Sequence, residues 1–507
     1  MGLLAAIQAL SYSYLAFISW LVSSLTAARR KLHSARFARL YELDGLARTP
    51  SAAPHLLLGV THLNQTLSVK PTRTRRELGN LLVVAPTRGG KGLLAVSQLL
   101  SWRQSVIVND IKGELFAQTA GFRSRLGPVF VIDPTGVGHR FDPLATRRGE
   151  DELFSAATHL LFKPDEGEGA IFTQRATVML TQIFLAAREE GRAPLPYARD
   201  IVRNGLAAAA AHLNSISPEL ATQFLDVAFP DANLADRFLL SSWGTLSARL
   251  RPLLTETVIR SLSNSDFAPS DLMTGEQPVS VYLRWPERDL LALSPLVRLL
   301  WGSLIDELVS AYDGRVGRGC RPVLLLVDEA GRTAIPSLAD HATTVVGRGI
   351  SLWIAVQSLS QLDAVYGKVR ASVLRDNMES QIYYRPSNHE TASYLERALG
   401  RTSEYAHSQT ERGGESVSQG LSEQGVPLLT AREISELSDT DIIGFHRRLP
   451  PFRARRMDWR HFPELVRRRA TTPPSLSTLP PIRPQIPGER QARLSRPYID
   501  PDHLPAV

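Results

Sequence analysis

Seven short apolar runs, each closed by a polar or charged residue, constrain what this chain can fold into more than any other feature. They are "LLVVA" (81–85), "SVIVND" (105–110), "VFVIDP" (129–134), "VSVYLRW" (279–285), "VLLLVDE" (323–329), "LWIAVQS" (352–358) and "QIYYRP" (381–386). Runs of this length without polar alternation read as strands buried on both faces, the signature of a parallel sheet covered by helices. Between about 150 and 275 the runs stop, and helical patterns such as "TVMLTQIFLAAREEGR" and "NGLAAAAAHLNSI" take over. The expectation is an α/β fold whose sheet-forming unit comes in two parts, 76–150 and 276–465, around an all-α inserted domain at 151–275. A chain of 507 residues, 43% of them hydrophobic, has the material for it.

The first run leads into "APTRGGKGL", residues Ala85, Pro86, Thr87, Arg88, Gly89, Gly90, Lys91, Gly92 and Leu93. This nearly spells a phosphate-binding loop, with Ala85 in place of the first glycine and Gly92 in place of the usual Ser/Thr. The bare pattern is weakly specific, but a strand before it and an apolar helix pattern after it supply the order the mechanism requires. Backbone N–H groups around Gly89 to Lys91 would surround a phosphate at a helix N-terminus, and the Lys91 ammonium would reach the β and γ oxygens. Without a hydroxyl at 92, water would have to complete the Mg²⁺ shell.

A second half-site is expected in "RPVLLLVDEAGR". There Asp328 would hold Mg²⁺ through water and Glu329 would polarise the attacking water. Taken alone, such an acidic pair equally well caps the next helix. Gln357 at the end of "LWIAVQ" reads either as a sensor of the γ-phosphate or as a solvent-facing glutamine. Arg348, just before that strand, reads either as an arginine finger for a neighbouring subunit or as a surface ion-pair partner.

The remaining segments are less informative. No charged residue occurs from Gly2 to Ala28, and Arg29, Arg30 and Lys31 follow, so 1–28 reads as a membrane helix with its C-terminal side cytoplasmic. Gln8 and several serines dilute it, leaving an interfacial or protein-buried helix as the alternative. Residues 29–75 form a basic collar and lead-in segment. Residues 401–426, polar and Gly/Ser-rich, are expected to be a mobile surface loop, and 466–507 a proline-rich, partly basic extended tail. The run Arg447, Arg448, Arg453, Arg455, Arg456 and Arg460 reads as a solvated basic face. The net charge of +8 is compatible with a polyanionic partner, and a lone cysteine, Cys320, fits a reducing compartment. Asp110, Lys112 and Glu114 in "DIKGE" take no settled role beyond a helix start.

The ordered set "LLLG", "LLVVAPTRGGKG", "VIVNDIKGELF", "VFVIDPTG", "RFDPL", "LLLVDEAGR", "GRGISLWIAVQSLSQLDAVYG", "LRDNMESQIYYRPSNHETASYLERALG", "PLLTAREISEL" and "LPPFRARRMDW" resembles the type IV secretion coupling proteins, the TraG/TraD-like conjugative DNA-transfer ATPases. The likeness runs from about 56 to 462. It implies a RecA-like P-loop NTPase motor domain with an inserted all-α domain and an N-terminal membrane helix. It also implies a homo-hexamer at the bacterial inner membrane, with the bulk of the chain cytoplasmic. ATP hydrolysis with Mg²⁺ would drive or license transfer of relaxase-bound single-stranded DNA, or of effector proteins, through the channel components of a type IV secretion system. By the same resemblance Lys91 is the phosphate lysine, Asp328 and Glu329 the metal and water pair, Arg348 the trans arginine and Gln357 the sensor. The front of the chain departs from the family, which usually carries two membrane helices where one candidate is found here. A soluble FtsK/HerA-like DNA translocase and a nucleotide-gated docking protein for secreted effectors are the competing readings.

Overall fold

The computed structural model describes residues 33–480 apart from 48–52, 73–76, 162–166, 228–232, 254, 316–317, 334, 336–337 and 413–414. The apolar segment 2–28 and the tail beyond 480 lie outside the described residues. In chain order the strands are β1 (Leu56–Val60), β2 (Thr66–Val69), β3 (Leu81–Val84), β4 (Ser105–Asp110), β5 (Val129–Asp133), β6 (Val137–Gly138) and β7 (Ser280–Arg284). There follow β8 (Val323–Val327), β9 (Ile350–Val356), β10 (Ser380–Tyr384), β11 (Arg401–Arg412), β12 (Glu415–Pro427), β13 (Asp441–His446) and β14 (Phe452–Arg455).

All but β11 and β12 join one sheet, in the order β2-β1-β14-β13-β10-β3-β9-β8-β4-β7-β5-β6. The seven apolar runs are its parallel centre, β10 through β5. Their side chains divide with the two-residue period of a strand: Leu82 and Val84 enter one apolar core, Leu81 and Val83 the other. Because both faces are covered, residues pointing either way are mostly apolar, which is why the sequence shows no regular polar alternation. The sheet is mixed because the segments flanking the centre pair antiparallel: β13 to β10, β14 to β13, β1 to β14 and β2 to β1. The lead-in segment thus contributes two strands to the sheet.

From Glu150 to Thr274 the described chain is helical. The helices Glu150–Leu161, Ala170–Glu189, Pro194–Asn204, Leu206–Ile216, Pro218–Leu225, Arg237–Leu250, Glu256–Leu262 and Asp271–Thr274 share one continuous core with the sheet face that carries Leu82 and Val84. Ala170–Glu189 is the one helix among the described residues long and apolar enough to cross a membrane. Its Met179, Leu180, Ile183 and Phe184 are fully buried within the protein core.

The structure corrects the expectation of a mobile loop at 401–426. β11 and β12 pair antiparallel from Arg401↔Pro427 to Arg412↔Glu415, with a register shift between Thr410 and Glu411. The ladder is made of backbone groups and needs no apolar face, so the composition gave no sign of it. Its base is tied to the start of the described chain, where Ala35 N donates to Arg401 O at 3.0 Å and His33 N to Ser403 Oγ at 3.0 Å. At the far edge of the large sheet the first part of the proline-rich tail is held as well: Gly138 N donates to Ser477 O at 2.9 Å and Leu479 N to Gly136 O at 2.8 Å.

Candidate functional site

Strands β3, β9 and β8 are neighbours in the sheet and end at the same edge, with Val84 beside Val356 and Val327 beside Ile354. That register brings Ala85, Gln357 and Asp328, each the first residue after its strand, to one place. Ala85, fully buried, donates its N–H to Val356 O at 3.0 Å and fixes the root of the loop. Gly89 N closes a turn on Pro86 O at 2.9 Å; a Cβ at Gly89 would lie only 2.9 Å from that oxygen. Arg88 and Gly90 take positive φ, 63° and 108°, so the loop doubles back before the helix Lys91–Ser101 begins. The first-turn N–H groups of such a helix have no intrahelical acceptor and carry the positive end of its dipole. The two glycines and these donors form a cradle suited to phosphate.

Lys91, whose side chain is 14% exposed, pairs directly with Glu329, and its Nζ lies 3.6 Å from Asp328 Oδ1. Glu329 is in the left-handed region, φ 59°, a conformation that costs a residue with a Cβ free energy and that turns this chain out of the strand at once. Gln357 joins the two halves: its Nε2 donates to Glu329 Oε2 at 3.1 Å, and its Oε1 accepts from Thr87 Oγ1 at 3.3 Å. The solvent-facing alternative for Gln357 is therefore set aside. Burial pushes the Asp328 carboxyl up from its ordinary range, with Lys91 acting in the opposite direction.

Asn109, which the sequence did not single out, carries the second layer. Its Nδ2 donates to Asp328 O at 2.9 Å, while its Oδ1 accepts from the indole N–H groups of Trp285 at 3.0 Å and Trp301 at 3.4 Å. The only sequence signal was a polar residue closing an otherwise apolar strand. Asp110 beside it is 2% exposed and accepts from Leu115 N at 3.3 Å and Phe116 N at 2.7 Å, holding the start of the helix Glu114–Arg123. Burial pushes its carboxyl up to about 6, against those two hydrogen bonds. Lys112 and Glu114 are exposed on the same turn.

Arg348 does not join this cluster. It precedes the N-terminal end of β9, whereas Lys91 follows the C-terminal end of the parallel neighbour β3, so the two stand at opposite ends of the sheet. Its guanidinium forms a two-pronged pair with Asp313, Nε to Oδ1 at 2.8 Å and a terminal nitrogen to Oδ2 at 3.0 Å. At Gly92 a Cβ would meet nothing within 4 Å, so the missing hydroxyl is not a steric requirement. Among the described residues no group of three or more His, Cys, Asp and Glu side chains gathers. The donor set beside Lys91 is thus a pair of carboxylates, which suits Mg²⁺, an ion that keeps several waters and takes one or two protein carboxylates alongside phosphates.

Comparison with known proteins places the chain in a family. The family described as "Type IV secretory system Conjugative DNA transfer" matches residues 61–477. The chain is 27% identical over 409 residues to the protein VirD4 of Rhizobium radiobacter, covering 76% of this chain and 58% of that one. It is 28% identical over 403 residues to the conjugal transfer protein TraG of Escherichia coli, covering 70% and 61%. The chain thus spans about three fifths of the length of these relatives. Among solved structures, the plasmid coupling protein TrwB in complex with the non-hydrolysable ATP analogue ADPNP superposes with a TM-score of 0.63 at 18% identity, over 89% of this chain and 97% of that one. TrwB in complex with ADP and Mg²⁺ gives 0.62 at 17%, over the same shares. At these identities the superposition speaks for the fold alone.

Proposed function

The chain belongs to the type IV secretory system conjugative DNA transfer family, and from that premise we propose that it is a coupling ATPase. In this reading it hydrolyses ATP to drive or license transfer of relaxase-bound single-stranded DNA through a type IV secretion channel. The observation that carries the proposal is the convergence of Lys91, Asp328, Glu329 and Gln357 from the ends of three adjacent strands onto one glycine cradle. Nucleotide and Mg²⁺ in the complexes of TrwB support ATP with Mg²⁺ as the ligands here.

The loop from Ala85 to Leu93 binds the phosphates, through its backbone donors and the Lys91 ammonium. Asp328 would hold Mg²⁺ through water, and the ion would supply charge that neutralises the phosphate oxygens. When Lys91 turns to phosphate, Glu329 loses its cation and becomes the group that orients and deprotonates the attacking water. Gln357, bonded to Glu329 and to Thr87 of the loop, reports the state of one to the other. Arg348 stands far from its own Lys91, so its part is in a neighbouring subunit's site, within a homo-hexamer.

The helical residues 151–275 act as an inserted domain on the motor, and residues 1–28 anchor the assembly at the inner membrane with its bulk in the cytoplasm. The partners are the relaxosome, or effector proteins, and the channel components. ATP turnover of the purified chain with and without single-stranded DNA, in wild type and Lys91→Ala, tests the reading. DNA-stimulated turnover that Lys91→Ala abolishes supports it. Unchanged turnover in Lys91→Ala or Glu329→Gln sinks the site, and slow, DNA-insensitive turnover favours a docking protein over a motor.

A further inference from the structure

The loop's own cation is already engaged. Lys91 faces two carboxylates, so the local sum of these three groups is one negative charge, an unfavourable start for a site that is to receive a polyphosphate. A second cation stands close by. Arg456, one residue past the outer strand β14, donates a terminal N–H to Gly89 O at 3.2 Å. Its guanidinium also lies 3.1 Å from the point where a Cβ at Gly90 would be. The chain direction explains the reach: β14 runs antiparallel to β13, which runs antiparallel to β10, so β14 ends at the same edge as β3. The Arg456 backbone is pinned there by its N–H to Thr440 O at 2.7 Å.

Arg456 differs from four other arginines of the basic run. Arg447 pairs with Glu379, Arg453 with Asp441 and Arg460 with Asp458, while Arg455 donates to Asn64 Oδ1. Those arginines tie the outer strands and turns together. Arg456 has no carboxylate within ion-pair distance among the described residues, and one carbonyl leaves most of its five donors unused. A half-buried guanidinium over a glycine cradle, its remaining donors uncommitted, is arranged for an anion.

We propose that Arg456 is a second phosphate-binding cation of the nucleotide site, supplied by the same chain from the outer part of the sheet. The proposal rests on the nucleotide-binding reading above. It makes Gly90 necessary twice over, for its positive φ and for the room it leaves the guanidinium.

The test measures binding directly, with fluorescent ATP and ADP analogues titrated onto wild type, Arg456→Ala, Arg456→Lys and Lys91→Ala, alongside melting curves with and without nucleotide. Expected is a loss of affinity for both nucleotides in Arg456→Ala of roughly tenfold or more. Arg456→Lys, which keeps the charge and loses the fork, should fall between. Unliganded melting should change little, while the nucleotide-induced rise shrinks. Unchanged affinity in Arg456→Ala, with or without a drop in unliganded melting temperature, would overturn the proposal and leave Arg456 as a tie to the loop. Failure of wild type itself to bind nucleotide would instead refute the underlying reading.

Discussion

Lys91 and Glu329, 238 residues apart in the chain, form a direct ion pair beneath the glycine loop. The pair is possible because β3 and β8 each stand next to β9, so residues that follow the ends of both strands share one edge. In the nucleotide-free protein it sets a cation between two carboxylates, and burial disfavours the charged form of one of them, Asp328. Lys91→Ala should therefore destabilise the unliganded protein by about 2 kcal/mol, since it strands two partly buried carboxylates side by side. The double variant Lys91→Ala/Glu329→Gln should recover more than half of that. Thermal melts without nucleotide, run as a double-mutant cycle, check it; additive effects would mean that the two side chains are not coupled.

Asp110 makes stability depend on pH. Its folded pKa, about 6, lies above the ordinary 3.8, so the neutral carboxyl is favoured by folding. The contribution is complete below about 3.8 and is lost as pH rises through about 6. Relative to Asp110→Asn, wild type should lose roughly 3 kcal/mol across that window, then run parallel to it above the window. Melting curves of both proteins at pH 4, 5, 6 and 7 decide the matter, and parallel curves throughout would assign Asp110 an ordinary pKa.

Two glycines of the loop should respond in opposite ways. Gly90, at φ 108° with Arg456 against it, has neither the conformation nor the space for a side chain, so Gly90→Ala should cost about 1–2 kcal/mol and weaken nucleotide binding. Gly92 faces open space, and Gly92→Ser should leave stability within about 0.5 kcal/mol of wild type. Melting temperature and nucleotide affinity of the two variants are the measurements.

Arg348 should act between subunits. Arg348→Ala and Lys91→Ala should each be inactive in assembled protein, yet mixing the two should restore part of the turnover. Mixed rings contain interfaces at which an intact loop meets an intact arginine. No recovery in mixed assemblies would place Arg348 in its Asp313 pair for structural reasons alone.

The central strands were legible because burial on both faces leaves a run of Val, Ile and Leu that little else in a globular chain produces. The meeting of the loop, the acidic pair and the glutamine was legible, since all three follow such runs. Other features depend on contacts with no local signature. β14 alternates and sits among arginines, so it reads as part of a basic face, and the sequence of β11 and β12 is polar throughout much of its length. Asn109 and Arg456 take their importance from partners more than 150 residues away, Asp328 for the first and Gly89 for the second. Spacing along the chain cannot announce such meetings.

The side-chain amide of Asn109 has a mechanical consequence. It grips the carbonyl of Asp328 with one end and two tryptophans with the other, and Trp301 belongs to the long helix Leu290–Arg315 that packs on Glu150–Leu161. Sliding that helix away would leave the amide oxygen on Trp285 alone and strand the buried indole N–H of Trp301, at a cost of about 1–3 kcal/mol. The helical layer and the sheet edge that carries Lys91 and Asp328 are consequently tied by one amide as well as by the shared apolar core.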